Sequence, residues 1–153
     1  MSAPVVKAEM LIRRPATDVF NAFVDPAITT QFWFSKASGN LEAGKRVRWD
    51  WEMYGVNDDI DVKAIEPNAR IVFAWSFPKS NLVEMTFTPH SKGTLVGVTN
   101  SGLRGDDVVA EALDLTSGWN IVLCGAKAWL EHGINLNAIA DKAPDHNVKG
   151  WDQ

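Results

Sequence analysis

The sequence predicts a single α+β domain: a curved antiparallel sheet of six strands around one long C-terminal helix, with two short helices between the first and second strands. Two patterns predict this class. Apolar and polar residues alternate at the period of a strand near the N-terminus and again in short segments between residues 45 and 102. Beyond residue 107 the apolar residues recur at helical spacing instead. A chain of 153 residues has room for one sizeable core.

The first three elements lie near the N-terminus. Residues 5–13 alternate between apolar and charged side chains, with Leu11 as the exception, which predicts a strand with one buried face. Pro15 begins a helix at a position where its missing N–H is not needed, and this helix ends before Asp25. Residues 27–33 are predicted to form the second short helix.

Five consecutive strands follow, separated by turn residues. Their predicted bounds are 46–53, 59–65, 71–75, 82–88 and 94–100. The segment 46–53 alternates most cleanly, whereas 71–75 is almost entirely apolar and indicates a strand that is covered on most of both faces or lies centrally. Strands joined by such short connections are expected to form an antiparallel meander.

One long amphipathic helix is predicted after residue 107. Its apolar stripe consists of Leu115, Trp119, Val122, Leu123, Ala126, Trp129 and Leu130. Asp106 or Asp107 is expected to cap its N-terminus, and Gly133 stands where a C-terminal cap is expected. Because no other predicted element is long enough to cover the apolar face of the sheet, this helix should lie in its hollow.

The domain is predicted to span residues 1–143, because no linker, repeat or low-complexity tract divides that stretch. Residues 144–153 are rich in charge and glycine and are predicted to form a loose C-terminal tail. Trp151 is the residue of this tail that we expect to be able to fold back onto the domain.

Composition and charge exclude several classes of function. With a formal net charge of −4, the chain lacks the clustered basic residues that a nucleic-acid backbone requires, so no nucleic-acid partner is expected. No run approaches the roughly 18 to 20 apolar residues of a membrane span, and the N-terminus lacks the pattern of a signal peptide. We therefore expect a cytoplasmic protein. The single cysteine, Cys124, excludes an internal disulfide and is expected in the core.

Short motifs stand in a fixed order along nearly the whole chain. They are Arg14-Pro15-Ala16, Val19-Phe20, Ala22-Phe23, Asp25-Pro26, Phe32-Trp33, Glu66-Pro67, Arg70 to Trp75, Gly93-Thr94, Asn100-Ser101-Gly102, Gly118-Trp119 and Leu130-Glu131-His132-Gly133. In the order and spacing of these motifs the chain resembles the activator of heat-shock-protein ATPase homologue-like family, within the START-like (SRPBCC) superfamily.

This resemblance implies the helix-grip fold, in which the sheet and the long helix enclose a cavity. Proteins of the superfamily include lipid carriers, hormone receptors, polyketide cyclases and aromatases, so the resemblance does not fix one function. The namesake co-chaperones carry an additional N-terminal domain that contacts the chaperone. A chain of 153 residues leaves no room for that domain, so chaperone activation is not the expected role.

Bulky side chains are predicted to face the hollow between the sheet and the long helix. The candidate ligand-binding residues are Trp33, Trp49, Trp51, Trp75, Met85, Phe87, Trp119 and Leu123, with Trp33 expected at the mouth. At about 24 cal/mol per Å³, a dry cavity of about 300 Å³ would destabilise the fold by on the order of 7 kcal/mol. The hollow must therefore hold water, a ligand or these same side chains.

The residues that usually bind metals or act in catalysis form no recognisable motif. His90, His132 and His146 are scattered, so no metal site and no cofactor are expected, and His132 is assigned to the helix C-terminus. The acidic groups Asp58-Asp59-Asp61 and Asp106-Asp107 are interpreted as solvated turn or edge residues and a helix cap.

Three polar residues are candidates for moving protons, namely Asn100, Glu84 and Tyr54. None has a partner that the sequence reveals, so no catalytic residue is assigned and enzymatic activity is left open. An enzyme would need a polar side chain that points into the cavity and has a hydrogen-bond partner.

The leading hypothesis is binding of a small hydrophobic or aromatic molecule between the sheet and the long helix. The first alternative is an enzyme of the polyketide cyclase or aromatase type, acting on a similar molecule. The second is a protein-interaction or co-chaperone-like module, or a homodimer, that uses the exposed sheet face or Trp151.

Overall fold

A computed structural model of the chain describes residues 3–76 and 79–151. The strands are β1 (Val6–Ile12), β2 (Lys36–Ala37), β3 (Arg46–Trp51), β4 (Val56–Glu66), β5 (Arg70–Trp75), β6 (Asn81–His90) and β7 (Gly93–Ser101). The α-helices are α1 (Ala16–Val24), α2 (Pro26–Thr29), α3 (Val108–His132) and α4 (Ala138–Asp141), and short 3₁₀ turns cover Glu52–Tyr54 and Pro144–His146.

The strands form one antiparallel, curved sheet in the order β1-β7-β6-β5-β4-β3-β2. The predicted α+β class, the meander and the central position of β5 are confirmed. Within the described residues the sheet has seven strands rather than six, because Lys36 and Ala37 pair with Asp50 and Trp49 of β3. A strand of two residues is too short to show an alternation in the sequence.

Two predicted bounds are wrong in ways that affect the interior. The second short helix ends at Thr29 instead of residue 33, and turns carry the chain on to Trp33. Strand β4 begins at Val56 instead of residue 59, so Asp58 lies within the strand. Because side chains alternate along a strand, Asp58 faces the same side as Ile60, which is fully buried.

Helix α3 lies against the concave face of the sheet. Asp107 caps its start by accepting a hydrogen bond of 3.1 Å from the Ala110 N–H. Gly133 ends it in the left-handed conformation at φ 65°, as the C-cap prediction requires. Gly125 allows close approach to the turn before β2, since a Cβ there would lie 3.2 Å from the backbone oxygen of Phe32.

The two halves of α3 differ in burial. Its buried residues are Trp119, Val122, Leu123, Gly125 and Ala126, all from the middle of the helix onward. In the first half, Val109 and Leu113 are 61% and 69% exposed. The helix is therefore packed into the sheet at its C-terminal end and leaves space beneath its N-terminal end.

The last described residues return to the 3₁₀ turn between β3 and β4. The Val148 N–H donates a hydrogen bond of 2.7 Å to the Met53 carbonyl, and Trp151 is half-buried. Helix α4 lies along the chain between α3 and Val148. It is held to the same turn by the Tyr54 hydroxyl, which donates a hydrogen bond to the Ile139 carbonyl. The predicted boundary at Ala143 between domain and tail stays a prediction.

Candidate functional site

An open pocket of about 290 Å³ lies between the concave face of the sheet and residues 114–122 of α3. Its aromatic wall consists of Trp33, Trp51, Tyr54, Trp75 and Trp119. Trp51 and Trp75 are the last residues of β3 and β5, which run in the same direction, so both lie at one end of the sheet. The pocket therefore lies where β3 and β5 end and where the N-terminal part of α3 is not packed against the sheet.

The indole rings of the wall contact one another. Trp75 and Trp119 stack with their ring centroids 5.3 Å apart and an interplanar angle of 28°. Trp33 meets Trp119 edge-on at 5.2 Å and lies 6.5 Å from Trp51. Contacts of this geometry fix the rings relative to one another and contribute beyond the apolar area that they bury.

Two buried asparagines hold the stacked pair in place. The Trp119 ring N–H donates to Asn100 Oδ1 at 3.1 Å, and the Trp75 ring N–H donates to Asn81 Oδ1 at 2.6 Å. Asn100 Nδ2 in turn donates to Asn81 Oδ1 at 2.6 Å and to the Leu82 carbonyl at 3.1 Å. The polar edge of each indole is thereby satisfied inside the protein, and the apolar faces are left for the pocket.

One carboxylate belongs to the wall. Asp58 is 8% exposed, and its Oδ2 accepts a hydrogen bond of 3.0 Å from the Ser76 N–H, while its Oδ1 accepts one from the Ser76 hydroxyl. The predicted solvated role of Asp58 is wrong, because β4 starts earlier than the sequence suggested. Asp59 is exposed, and Asp61 pairs with Arg46 at 2.9 Å, so these two remain surface residues.

The mouth of the pocket carries a tyrosine and an ion pair. Burial raises the pKa of Tyr54, whose hydroxyl donates to the carbonyl of Ile139 in α4. Lys142 Nζ lies 3.6 Å from Asp114 Oδ1, and both residues line the pocket. The segment that contains α4 therefore forms one side of the opening.

Of the eight predicted ligand-binding residues, the four tryptophans Trp33, Trp51, Trp75 and Trp119 line the pocket. The other four, Trp49, Met85, Phe87 and Leu123, are at most 2% exposed within the core. Trp49, Met85 and Phe87 lie on the concave face of the sheet and Leu123 on α3, all within the packed core cluster. Whether any of the eight binds a ligand stays a prediction.

Trp33 has a different position from the expected one at the mouth. It is 6% exposed and separates the pocket from a second cavity of about 250 Å³, which Trp151 and residues 135–140 help to line. The turn that follows α2 carries Trp33 inward, because that helix ends at Thr29. Both cavities therefore share its indole ring.

Sequence analysis missed several wall residues, among them Asp58, Asp114, Ile139 and Lys142. The alternation of Ile60 and Val62 extends back to Asp58, and this signal would have found it. Ile139 and Lys142 come from a segment without periodicity, so the sequence alone carries no signal for them.

The remaining candidates are placed as follows. The Asn100 side chain is hydrogen-bonded to Trp119, Asn81 and Leu82. Glu84 lies on the outer face of the sheet, where it pairs with Arg70 at 2.5 Å. Cys124 is exposed, so its predicted burial is wrong. It follows Leu123 by one residue, about 100° around a helix that contacts the sheet along one face only.

Among residues 3–76 and 79–151, no three His, Cys, Asp or Glu side chains are grouped so that they could hold a metal ion. In the same residues, no helix is long and apolar enough to cross a membrane. His132 is exposed at the end of α3, as predicted.

Solved structures of similar shape place this pocket in a known fold. SSP2350 from Staphylococcus saprophyticus superposes with a TM-score of 0.77 and is 31% identical, over 87% of this chain and 96% of that one. DynU16, a protein in the dynemicin biosynthetic locus, has a TM-score of 0.78 and 27% identity over 86% of this chain, which spans 48% of that protein. The Aha1 dimer from Colwellia psychrerythraea shares the fold, with a TM-score of 0.74 and 16% identity over 85% of this chain and 98% of that one.

The comparison with curated proteins gives no match. Residues 13–131 match the family described as Activator of Hsp90 ATPase homolog 1-like protein. This range contains β2 to β7 and all of α3 except its last residue, His132, and it agrees with the resemblance noted in the sequence. The chain therefore belongs to the family of Activator of Hsp90 ATPase homolog 1-like proteins.

Proposed function

We propose that the protein binds a small apolar or aromatic molecule in the pocket between the sheet and α3. The observation that carries the proposal is the set of indole rings around an open space of about 290 Å³, with the polar edges of the stacked pair already bonded to asparagines. Rings held in this way present fixed apolar faces, and a ligand that stacks on them gives up little side-chain freedom of the protein.

The size of the pocket limits the ligand. At about 24 cal/mol per Å³, leaving this space dry would destabilise the fold by about 7 kcal/mol, so the free protein holds water there. The volume corresponds to roughly ten waters at about 30 Å³ each, which suits a molecule of one to three rings rather than a lipid with two long chains. Such a ligand releases water from a mainly apolar wall, which favours binding.

A variant that fills the pocket tests the proposal. Gly118 lies on α3 in the wall, and a Cβ at that position meets no atom of the described residues within 4 Å. Gly118→Leu should therefore occupy the space without a clash and should also favour the helix by about 1 kcal/mol. Titration of 2-naphthol, followed by tryptophan fluorescence and native mass spectrometry, should show binding to the wild type and none to Gly118→Leu.

The controls separate the pocket from the rest of the surface. Ser117→Leu adds the same side chain at an exposed neighbouring position and should leave binding unchanged. Trp151→Ala opens the second cavity and should also leave it unchanged. Equal binding by wild type and Gly118→Leu, or no binding of any small aromatic compound to the wild type, would contradict the proposal.

A second candidate function is an enzyme of the polyketide cyclase or aromatase type. It is favoured by Asp58, a carboxylate in the pocket wall with hydrogen-bond partners, which can accept a proton from a folded substrate. The similarity to DynU16, from a biosynthetic locus, agrees with this candidate. Its test is cyclisation of a linear poly-β-ketone thioester, analysed by mass spectrometry. Turnover that Asp58→Asn abolishes would support it, and binding without turnover by the wild type would contradict it.

A homodimer is a further proposal about partners. Val109 and Leu113 lie four residues apart on α3 and expose apolar side chains on one face. Light scattering of the purified protein should give twice the mass of the chain, and Leu113→Glu should return it to the mass of one chain. A monomeric wild type would contradict the dimer.

A further inference from the structure

We infer that the ligand of this pocket carries a positively charged amino group, held by the Asp58 carboxylate and the faces of the surrounding indoles. The inference rests on the proposed function and narrows its ligand to cationic aromatic molecules. It starts from the charge of one buried side chain and from what surrounds it.

Asp58 is a buried carboxylate without a cationic partner. It is 8% exposed, and the ion pairs among residues 3–76 and 79–151 do not include it. Its hydrogen bonds come from the N–H and the hydroxyl of Ser76. A carboxylate has about four acceptor positions, so about two stay available toward the pocket.

An unpaired buried charge is unfavourable unless something compensates it. Among the described residues that line the pocket, Lys142 carries the ammonium group, but its Nζ lies 3.6 Å from Asp114 Oδ1 at the mouth. These two charges neutralise each other, so the wall keeps the net negative charge of Asp58. A cation that enters with the ligand supplies the missing partner.

The aromatic wall favours the same kind of ligand. The face of an indole attracts a cation within about 6 Å of its centroid, and cages of several aromatic rings are used to bind ammonium groups. Trp51, Trp75 and Trp119 lie around the space that Asp58 faces. A flat aromatic ring with an amino group can therefore stack on an indole and place its charge at the carboxylate.

A matched pair of compounds tests the inference. 2-Naphthylmethylamine and 2-naphthylmethanol share one ring system and differ in charge at neutral pH. By isothermal titration calorimetry the amine should bind the wild type at least about tenfold more tightly than the alcohol, the difference expected for one charge-assisted contact. Asp58→Asn should remove this preference and change the affinity for the alcohol by less than about twofold.

Asp59→Asn is the matched control. It removes the same charge one residue along β4, on the exposed outer face, and should keep the preference for the amine. Ser76→Ala keeps the carboxylate and removes one of its hydrogen bonds, so it should keep or increase the preference. Ser76→Ala also provides a test of the inference if Asp58→Asn fails to fold, which a thermal melt would show.

The outcomes separate the two proposals. Binding of the alcohol with no advantage for the amine would overturn the inference and leave the proposed function standing. A preference for the amine that persists in Asp58→Asn would also overturn it, since a group other than Asp58 would then bind the ammonium charge. Binding of neither compound at millimolar concentration would overturn both.

Discussion

The interior of the sheet has a filled end and a hollow end. At the filled end Trp49, Phe73 and Phe87 are at most 2% exposed. At the hollow end Trp51 and Trp75 are only half-buried and border a space of about 290 Å³. All five side chains are aromatic and all lie on the concave face. Neither the residue type nor the face of the strand therefore distinguishes a side chain packed in the core from one that lines the pocket.

The difference is the element that covers each end. Helix α1 places Phe20 and Phe23 against Phe87, with ring centroids 5.5 and 5.9 Å apart, and Phe34 stacks on Trp49 at 4.6 Å. Over the hollow end lie residues 108–118 of α3, whose side chains are at most half-buried. A pocket is therefore left where the covering helix stands away from the sheet.

Trp49 and Trp51 sharpen this comparison most, because they lie two residues apart on the same face of β3. Trp49→Ala removes a fully packed ring and should lower the free energy of unfolding by about 3 to 5 kcal/mol. Trp51→Ala enlarges a space that is already open and should lower it by roughly half as much or less. Urea unfolding followed by circular dichroism measures both, and equal losses would erase the distinction between the two ends.

The sequence predicts the filled end better than the hollow one. Alternation places Val83, Met85 and Phe87 correctly in the core, because each strand position has one of two faces. The extent of the pocket depends on the distance between α3 and the sheet and on where the chain places Ile139 and Lys142 in the wall. The periodicity of the sequence contains information on neither. Asp58 was missed for a smaller reason, an error of three residues in the start of β4.

Asn100 offers a second test, since it is fully buried and holds the rings of the hollow end. Asn100→Ala leaves the Trp119 N–H without an acceptor and should lower the free energy of unfolding by about 1 to 3 kcal/mol. The near-ultraviolet circular dichroism of the stacked Trp75 and Trp119 should weaken as well. Asn120→Ala, at an exposed site of α3, should change stability by about 0.5 kcal/mol or less. A near-ultraviolet spectrum unchanged by Asn100→Ala would show that the stack needs no polar support.

Glu131 fastens α3 to β1 at the filled end. Burial favours its neutral form, but the Arg13 N–H and the Lys127 ammonium, 2.8 and 2.6 Å away, outweigh burial and lower the pKa of Glu131. Its stabilisation is therefore present above the pKa of the unfolded chain, about 4.3, and is lost as pH falls through the lower folded value. Glu131→Gln should destabilise the protein by about 1 to 3 kcal/mol at pH 7.

The pH dependence identifies the cause of that loss. The difference between wild type and Glu131→Gln should shrink below about pH 4, because the wild-type carboxyl then becomes neutral as well. Glu9→Gln, at an exposed site of β1, should show little difference at either pH. A difference that is constant with pH would assign the effect of Glu131 to packing rather than charge.

Tyr54→Phe tests the mouth of the hollow end and should have the smallest effect. The change keeps the ring in the pocket wall and removes the hydroxyl that donates to the Ile139 carbonyl. A single hydrogen bond of this kind contributes about 0.5 to 1.5 kcal/mol, so global stability should fall only by that amount. Local opening of α4 is governed by few contacts, so the amides of residues 139–142 should exchange with solvent faster while those of β5 stay unchanged. Equal acceleration in both places would mean that α4 opens only when the whole domain unfolds, and the hollow end would then be as tightly closed as the filled one.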